Sequence, residues 1–122
     1  MLLDDSAATT QDIVTVTPSQ VGMGALDKFF GAGGGLTYNG ISALTLNLSA
    51  AYADKVHLTP SAVTAFFLKA NESEWQAGHG AILDLDPADV PYATNHQTGL
   101  DAGYLTFSNG KKSVTYSGFD QY

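Results

Sequence analysis

The chain reads as an all-β domain of stacked short strands, a β-solenoid-like or β-roll-like module built from two unequal repeats, with a compact β-sandwich as the alternative. Three observations predict this. Apolar and polar residues alternate with period two in short runs that end at Gly, Pro, Asn or Ser. No long stretch keeps apolar residues three and four apart between helix caps. One strand-and-turn pattern occurs twice in the same chain.

Taken in order, Ile13-Val14-Thr15-Val16-Thr17 is β-branched throughout and stops at Pro18. Residues 20–30 and 61–70 hold the best helical spacing, and being short and poorly capped they predict one or two helical turns at most. Gly31-Ala32-Gly33-Gly34-Gly35 lacks the Lys-Ser/Thr pair of a phosphate loop and predicts a flexible turn into a strand at Leu36. Leu44-Thr45-Leu46-Asn47-Leu48 alternates strictly, leucines on one face and Thr and Asn on the other. Val56-His57-Leu58-Thr59 stops at Pro60, and His57, opposite Val56 and Leu58, is expected to face solvent. Ala65-Phe66-Phe67-Leu68, Ile82-Leu83-Asp84-Leu85, Tyr104-Leu105-Thr106-Phe107 and Ser113-Val114-Thr115-Tyr116 complete the predicted strands.

The repeat is D-x-V-x-(V/L)-T-P-S-x-V, found from Asp12 to Val21 and again from Asp54 to Val63, 42 residues on. A second pair, Thr37-Tyr38-Asn39-Gly40 and Thr115-Tyr116-Ser117-Gly118, lies 78 residues apart in the same order. The expectation is one supersecondary unit used twice, over residues 1–43 and 44–122, the second carrying an insertion at 71–103. Leu2 and Leu3 resemble the leucines ahead of Asp54, and the chain stops after Phe119 where the first copy runs on into Leu44. It is therefore expected to begin and end inside a repeat, as a slice of a longer array or a module whose first and last strands pair.

Hydrophobic residues make up 44% and charged ones 14%, which excludes a disordered chain. Five lysines, no arginine and twelve acids leave a net charge of −7 and no basic face for nucleic acid. With no cysteine, disulfides, thiolate metal sites and a Cys nucleophile are excluded. No run reaches membrane-spanning length, and Met1-Leu2-Leu3 followed by Asp4 and Asp5 is not a signal peptide, so the leader of a secreted parent is expected outside this segment.

Residues 34–48, a loop, and Asp54-Lys55-Val56-His57-Leu58 together resemble large, repetitive, calcium-associated surface proteins of planctomycetes and cyanobacteria. In those, an I-x-Y-x-G-I-x-x-L-x-L-N-x segment, a Gly/Asp loop and D-x-V-x-V follow one another. Leu105-Thr106-Phe107-Ser108-Asn109-Gly110 running into Val114-Thr115-Tyr116-Ser117-Gly118 is similar to their closing segment. The resemblance implies an extracellular or cell-surface parent in which such modules are stalks, adhesive segments or spacers, with neighbouring modules as partners. Their loops often read G-x-G-D-D-T, with glycines and aspartates able to hold Ca²⁺. Here the corresponding loop, residues 49–54, offers one carboxylate, Asp54.

Two groups of residues are candidates for binding. Asp84, Asp86 and Asp89 place three carboxylates within six residues, the donor type a hard cation such as Ca²⁺ requires, although no EF-hand glycine or distal Glu accompanies them. The alternative is a polar strand face followed by a Pro87 turn. Trp75, Tyr92, His96 and Tyr104, in or beside the insertion, could form an aromatic platform for a cell-surface glycan or protein, or Trp75 could plug the insertion onto the core. His57, His79 and His96 have no metal-pair spacing, and no nucleophile elbow is present. The sequence thus predicts no enzyme and no cofactor other than a possible Ca²⁺. It predicts a structural or adhesive repeat module, with a carbohydrate- or Ca²⁺-binding domain using residues 71–103 as the alternative.

Overall fold

The computed structural model describes residues 1–5, 7, 12–24, 27, 29–30, 34–48, 54–70, 81–99 and 101–121. Among them, twelve strands form two six-stranded sheets. Eight of the strands make four coils. These are β1 (Leu2–Asp4) with β2 (Ile13–Val16), β5 (Ala43–Asn47) with β6 (Lys55–Leu58), β7 (Ala65–Lys69) with β8 (Ala81–Leu85), and β11 (Val114–Ser117) with β12 (Phe119–Gln121). In each coil the chain lays one strand in the first sheet and the next in the second. The first sheet therefore stacks β1, β5, β7 and β11, and the second β2, β6, β8 and β12, all parallel and in chain order. Because each strand pairs with the equivalent strand one coil away and not with its chain neighbour, the architecture is the solenoid-like stack.

Two antiparallel hairpins extend the stack. β3 (Gln20–Val21) and β4 (Leu36–Thr37) leave coil one and lengthen the second sheet beyond β2. β9 (Ala93–Gln97) and β10 (Ala102–Phe107) leave coil three and lengthen the first sheet beyond β11. The strand orders are accordingly β1-β5-β7-β11-β10-β9 and β12-β8-β6-β2-β3-β4.

The sequence repeat is the stacking register. Ile13 pairs with Lys55, Val14 with Val56, Thr15 with His57 and Val16 with Leu58, each across the predicted spacing. The buried Asp54 carboxylate accepts the Asp12 amide at 2.7 Å, so the Asp that opens the motif fastens one coil to the next. A third copy, Ile82-Leu83-Asp84-Leu85-Asp86-Pro87-Ala88, continues the ladder from Lys55 onward. Alternate residues turn inward, and Val14, Val56 and Leu83 form one row while Leu44, Phe66 and Val114 form another, all at most 1% exposed. Burying each such side chain contributes about 1.5–3 kcal/mol, which a single coil cannot realise without a neighbour.

Several expectations are corrected. Among the described residues of 20–30 and 61–70 no helical turn forms. β3 and β7 occupy part of those stretches, and Ser61 Oγ takes the amides of Val63 and Thr64 in a turn. The only helical element among the described residues is the 3-10 turn Val90–Tyr92. Four coils replace two units. Residues 71–103 are not one insertion, because Ala81–Leu85 is a coil strand whose Ala81 and Leu83 face the core. The T-Y-x-G segments are not equivalent, since Thr37 lies in the second sheet and Thr115 in the first. What they share is local: a buried Tyr, then a glycine of positive φ two residues later. The first and last strands do not pair, because β1 lies on β5 and β12 on β8.

Tyr38 supplies a pH test of this packing. Its hydroxyl donates to the Thr17 carbonyl, and burial pushes its phenol up to about 12. An unfolded tyrosine ionises near pH ~10, so the contribution is intact below that pH and lost as pH rises towards 12. Melts from pH 9 upward should show the wild type losing stability through that window more steeply than Tyr38→Phe, which has no proton to lose. Parallel curves would mean that Tyr38 is not buried as described.

Candidate functional site

The outer face of the first sheet carries the most organised exposed side chains. Register aligns Leu2, Thr45, Phe67, Thr115, Tyr104 and His96 in one row across its six strands. At the end of the row the Tyr104 and His96 rings stack with centroids 4.6 Å apart and an 11° interplanar angle. His96 Nε2 lies 3.0 Å from Thr106 Oγ1, which holds the imidazole in place. Phe67 and Tyr104, both partly exposed, add apolar area to the same face. Of the four aromatic candidates the structure brings together Tyr104 and His96. Tyr92 sits in the 3-10 turn ahead of β9, exposed and apart from that stack. Trp75 lies outside the described residues, as does His79. Phe67 was not among the candidates, although strict alternation requires one of Phe66 and Phe67 to face outward.

The three carboxylates are each engaged separately. Asp84 lies on the outer face of the second sheet in a row with Thr15 and His57, its Oδ2 2.7 Å from His57 Nδ1. Both side chains are well exposed, so this hydrogen bond contributes at most about 1 kcal/mol. Asp86 accepts Thr59 Oγ1 at 3.2 Å and the Ala88 amide at 3.0 Å. It occupies the position that Thr17 and Thr59 hold in the first two copies of the repeat. Asp89 is buried and accepts Asn109 Nδ2 at 2.9 Å, tying the turn after β8 to the turn after β10. Among the described residues no three His, Asp or Glu side chains gather as a group that could hold a metal ion.

A third feature was absent from the sequence reading. β12 pairs only with Ala81 and Ile82, leaving the far half of β8 without a strand beyond it among the described residues, while β10 and β9 overhang from the opposite sheet. Between them lies a cavity of about 310 Å³ lined by Leu83, Leu85, Val90, Ala93 and Leu105, with Asp84 and Asn95 at its polar side. Asn95 Oδ1 accepts Tyr116 Oη at 2.7 Å, which braces the overhang. Gly103 permits that approach, since a Cβ there would stand 2.6 Å from the His96 carbonyl oxygen and 2.7 Å from Tyr116 Oη.

Compared with known proteins, the chain matches no family model, no curated protein and no solved structure.

Proposed function

We propose that this chain is a non-catalytic structural and adhesive module of a larger extracellular protein, working as a rigid spacer. The observation that carries the reading is the parallel stack of four coils. Three copies of one strand-and-turn motif lie directly on one another, and rows of buried apolar side chains link successive coils in both sheets. A stack of this kind resists bending through two continuous hydrogen-bond ladders and leaves its corners free to vary.

A specific observation favours a second reading. The Tyr104–His96 stack on an open sheet face offers sugar rings the flat apolar area and polar edges they need. Thermal melts in EDTA, in millimolar Ca²⁺ and with soluble oligosaccharides separate the two. The spacer reading expects one unchanged Tm, because a ligand of the native state would raise it by mass action. A rise of several degrees with sugar, abolished by Tyr104→Ala, would install the glycan-binding reading. A rise with Ca²⁺ alone would install the ion-binding one.

A further inference from the structure

We infer that copies of this chain join head to tail through their two stepped ends, extending both sheets into a continuous filament. The inference rests on the spacer reading and names the spacer's partner as a second copy of the chain.

The ends are complementary in strand count. At the coil-one end the second sheet overhangs the first by two strands, β3 and β4. At the coil-four end the first sheet overhangs the second by the same number, β10 and β9. Sliding one copy onto another along the stack axis therefore brings β1 of the second copy against β9 and its β4 against β12 at the same time. Strand direction agrees at both joints. β9 is antiparallel to β10 and β10 to β11, so β9 points the same way as the coil strands of its sheet. β4 is related to β2 through β3 in the same way. Both new pairings are parallel, as in the rest of the stack.

Among the described residues no strand covers the outer side of β1, β4, β9 or β12. Thr45 donates to the Met1 carbonyl and Asp5 to the Asn47 carbonyl, and the parallel pattern then turns the amide and carbonyl of Leu2 outward. β9 reads Ala-Thr-Asn-His-Gln, without the Lys, Pro or carboxylate that protects an edge from association. Apolar surface also collects at the ends. Met1, Leu2, Met23 and Phe30, on or beside the strands of the coil-one end, are exposed, Leu2 by 60%. At the other end Val90, 54% exposed, lines the 310 Å³ cavity beneath the overhang. Exposed apolar ends on a repeat stack are the opposite of the polar caps that keep such stacks monomeric. The contact is heterologous and does not close on itself, so it propagates.

The test uses the intact chain and two variants. Leu2→Pro removes an outward amide at one end only, and Val90→Glu charges the cavity at the other end only. Analytical ultracentrifugation over a concentration series should show the wild type growing in mass with concentration. Fibres imaged by electron microscopy should repeat every six strands, about 29 Å at ~4.8 Å per strand. Each variant alone should stay monomeric with a wild-type melt, whereas an equimolar mixture should give heterodimers and stop there, because each supplies the end the other lacks. A wild type that is monomeric at every concentration overturns the inference and leaves the spacer reading standing. Variants that elongate like the wild type, or a mixture that yields no heterodimer, overturn it as well. A melt shifted by sugar or Ca²⁺ instead removes the spacer reading.

Discussion

Replacing Phe66 by Ala should lower unfolding free energy by about 3–5 kcal/mol, because a fully buried ring in the third of four coils is exchanged for a cavity. Phe66 sits in the inner row with Leu44 on one side and Val114 on the other, so its ring fills space between coils as well as between sheets. A domain of this size has a total stability of about 5–15 kcal/mol, so the loss is a large fraction of it. Phe67, the next residue, is 40% exposed on the outer face, and Phe67→Ala should cost about 1 kcal/mol or less. Urea unfolding of the two variants tests the register directly. A slip of one residue would exchange the two rings, and the larger loss would then fall on Phe67.

Gly118→Ala should be the more damaging of two matched glycine substitutions. Gly118 and Gly40 close the two T-Y-x-G segments with φ of 78° and 71°. Holding an L-residue in that left-handed region costs roughly 1–2 kcal/mol at either site. At Gly40 a Cβ meets open space, so that term is the whole expected loss. At Gly118 a Cβ would stand 2.4 Å from the Ala70 carbonyl oxygen, which belongs to backbone and cannot swing away. Ala70 and Ala81 also donate their amides to the Ser117 and Gly118 carbonyls, so any shift there disturbs the passage from coil three to coil four. The difference between the variants' unfolding free energies isolates the steric part. Equal losses would show that the corner at Gly118 is looser than described.

Strands long enough to alternate were legible in the sequence, and the short ones were not. β3 and β4 have two residues each, too few to carry a period, and they form only because Val16 and Val21 present a partner edge. β9 holds Thr, Asn, His and Gln at successive exposed positions, so no apolar face announces it. The third copy of the repeat was hidden by chemistry. Asp86 and Ala88 stand where the first two copies have Thr and Ser, and that drew attention to the carboxylates instead of to Pro87, which shares its place with Pro18 and Pro60. The Tyr104–His96 contact needed two residues on different strands to meet across a hairpin, which the sequence could only suggest by proximity.

From the sequence alone came the all-β class, the inward and outward faces of the longer strands, and the spacing at which the first coil matches the second. These follow from side-chain alternation and identity, which are local properties of the chain. Only the tertiary structure decided that the coils stack parallel, that one hairpin extends each sheet, and that the two hairpins project at opposite ends. Those choices are made by backbone amides and carbonyls, which are alike at nearly every residue, and by the path of the connecting loops. Neither leaves a mark on residue type, so only the folded chain reveals them.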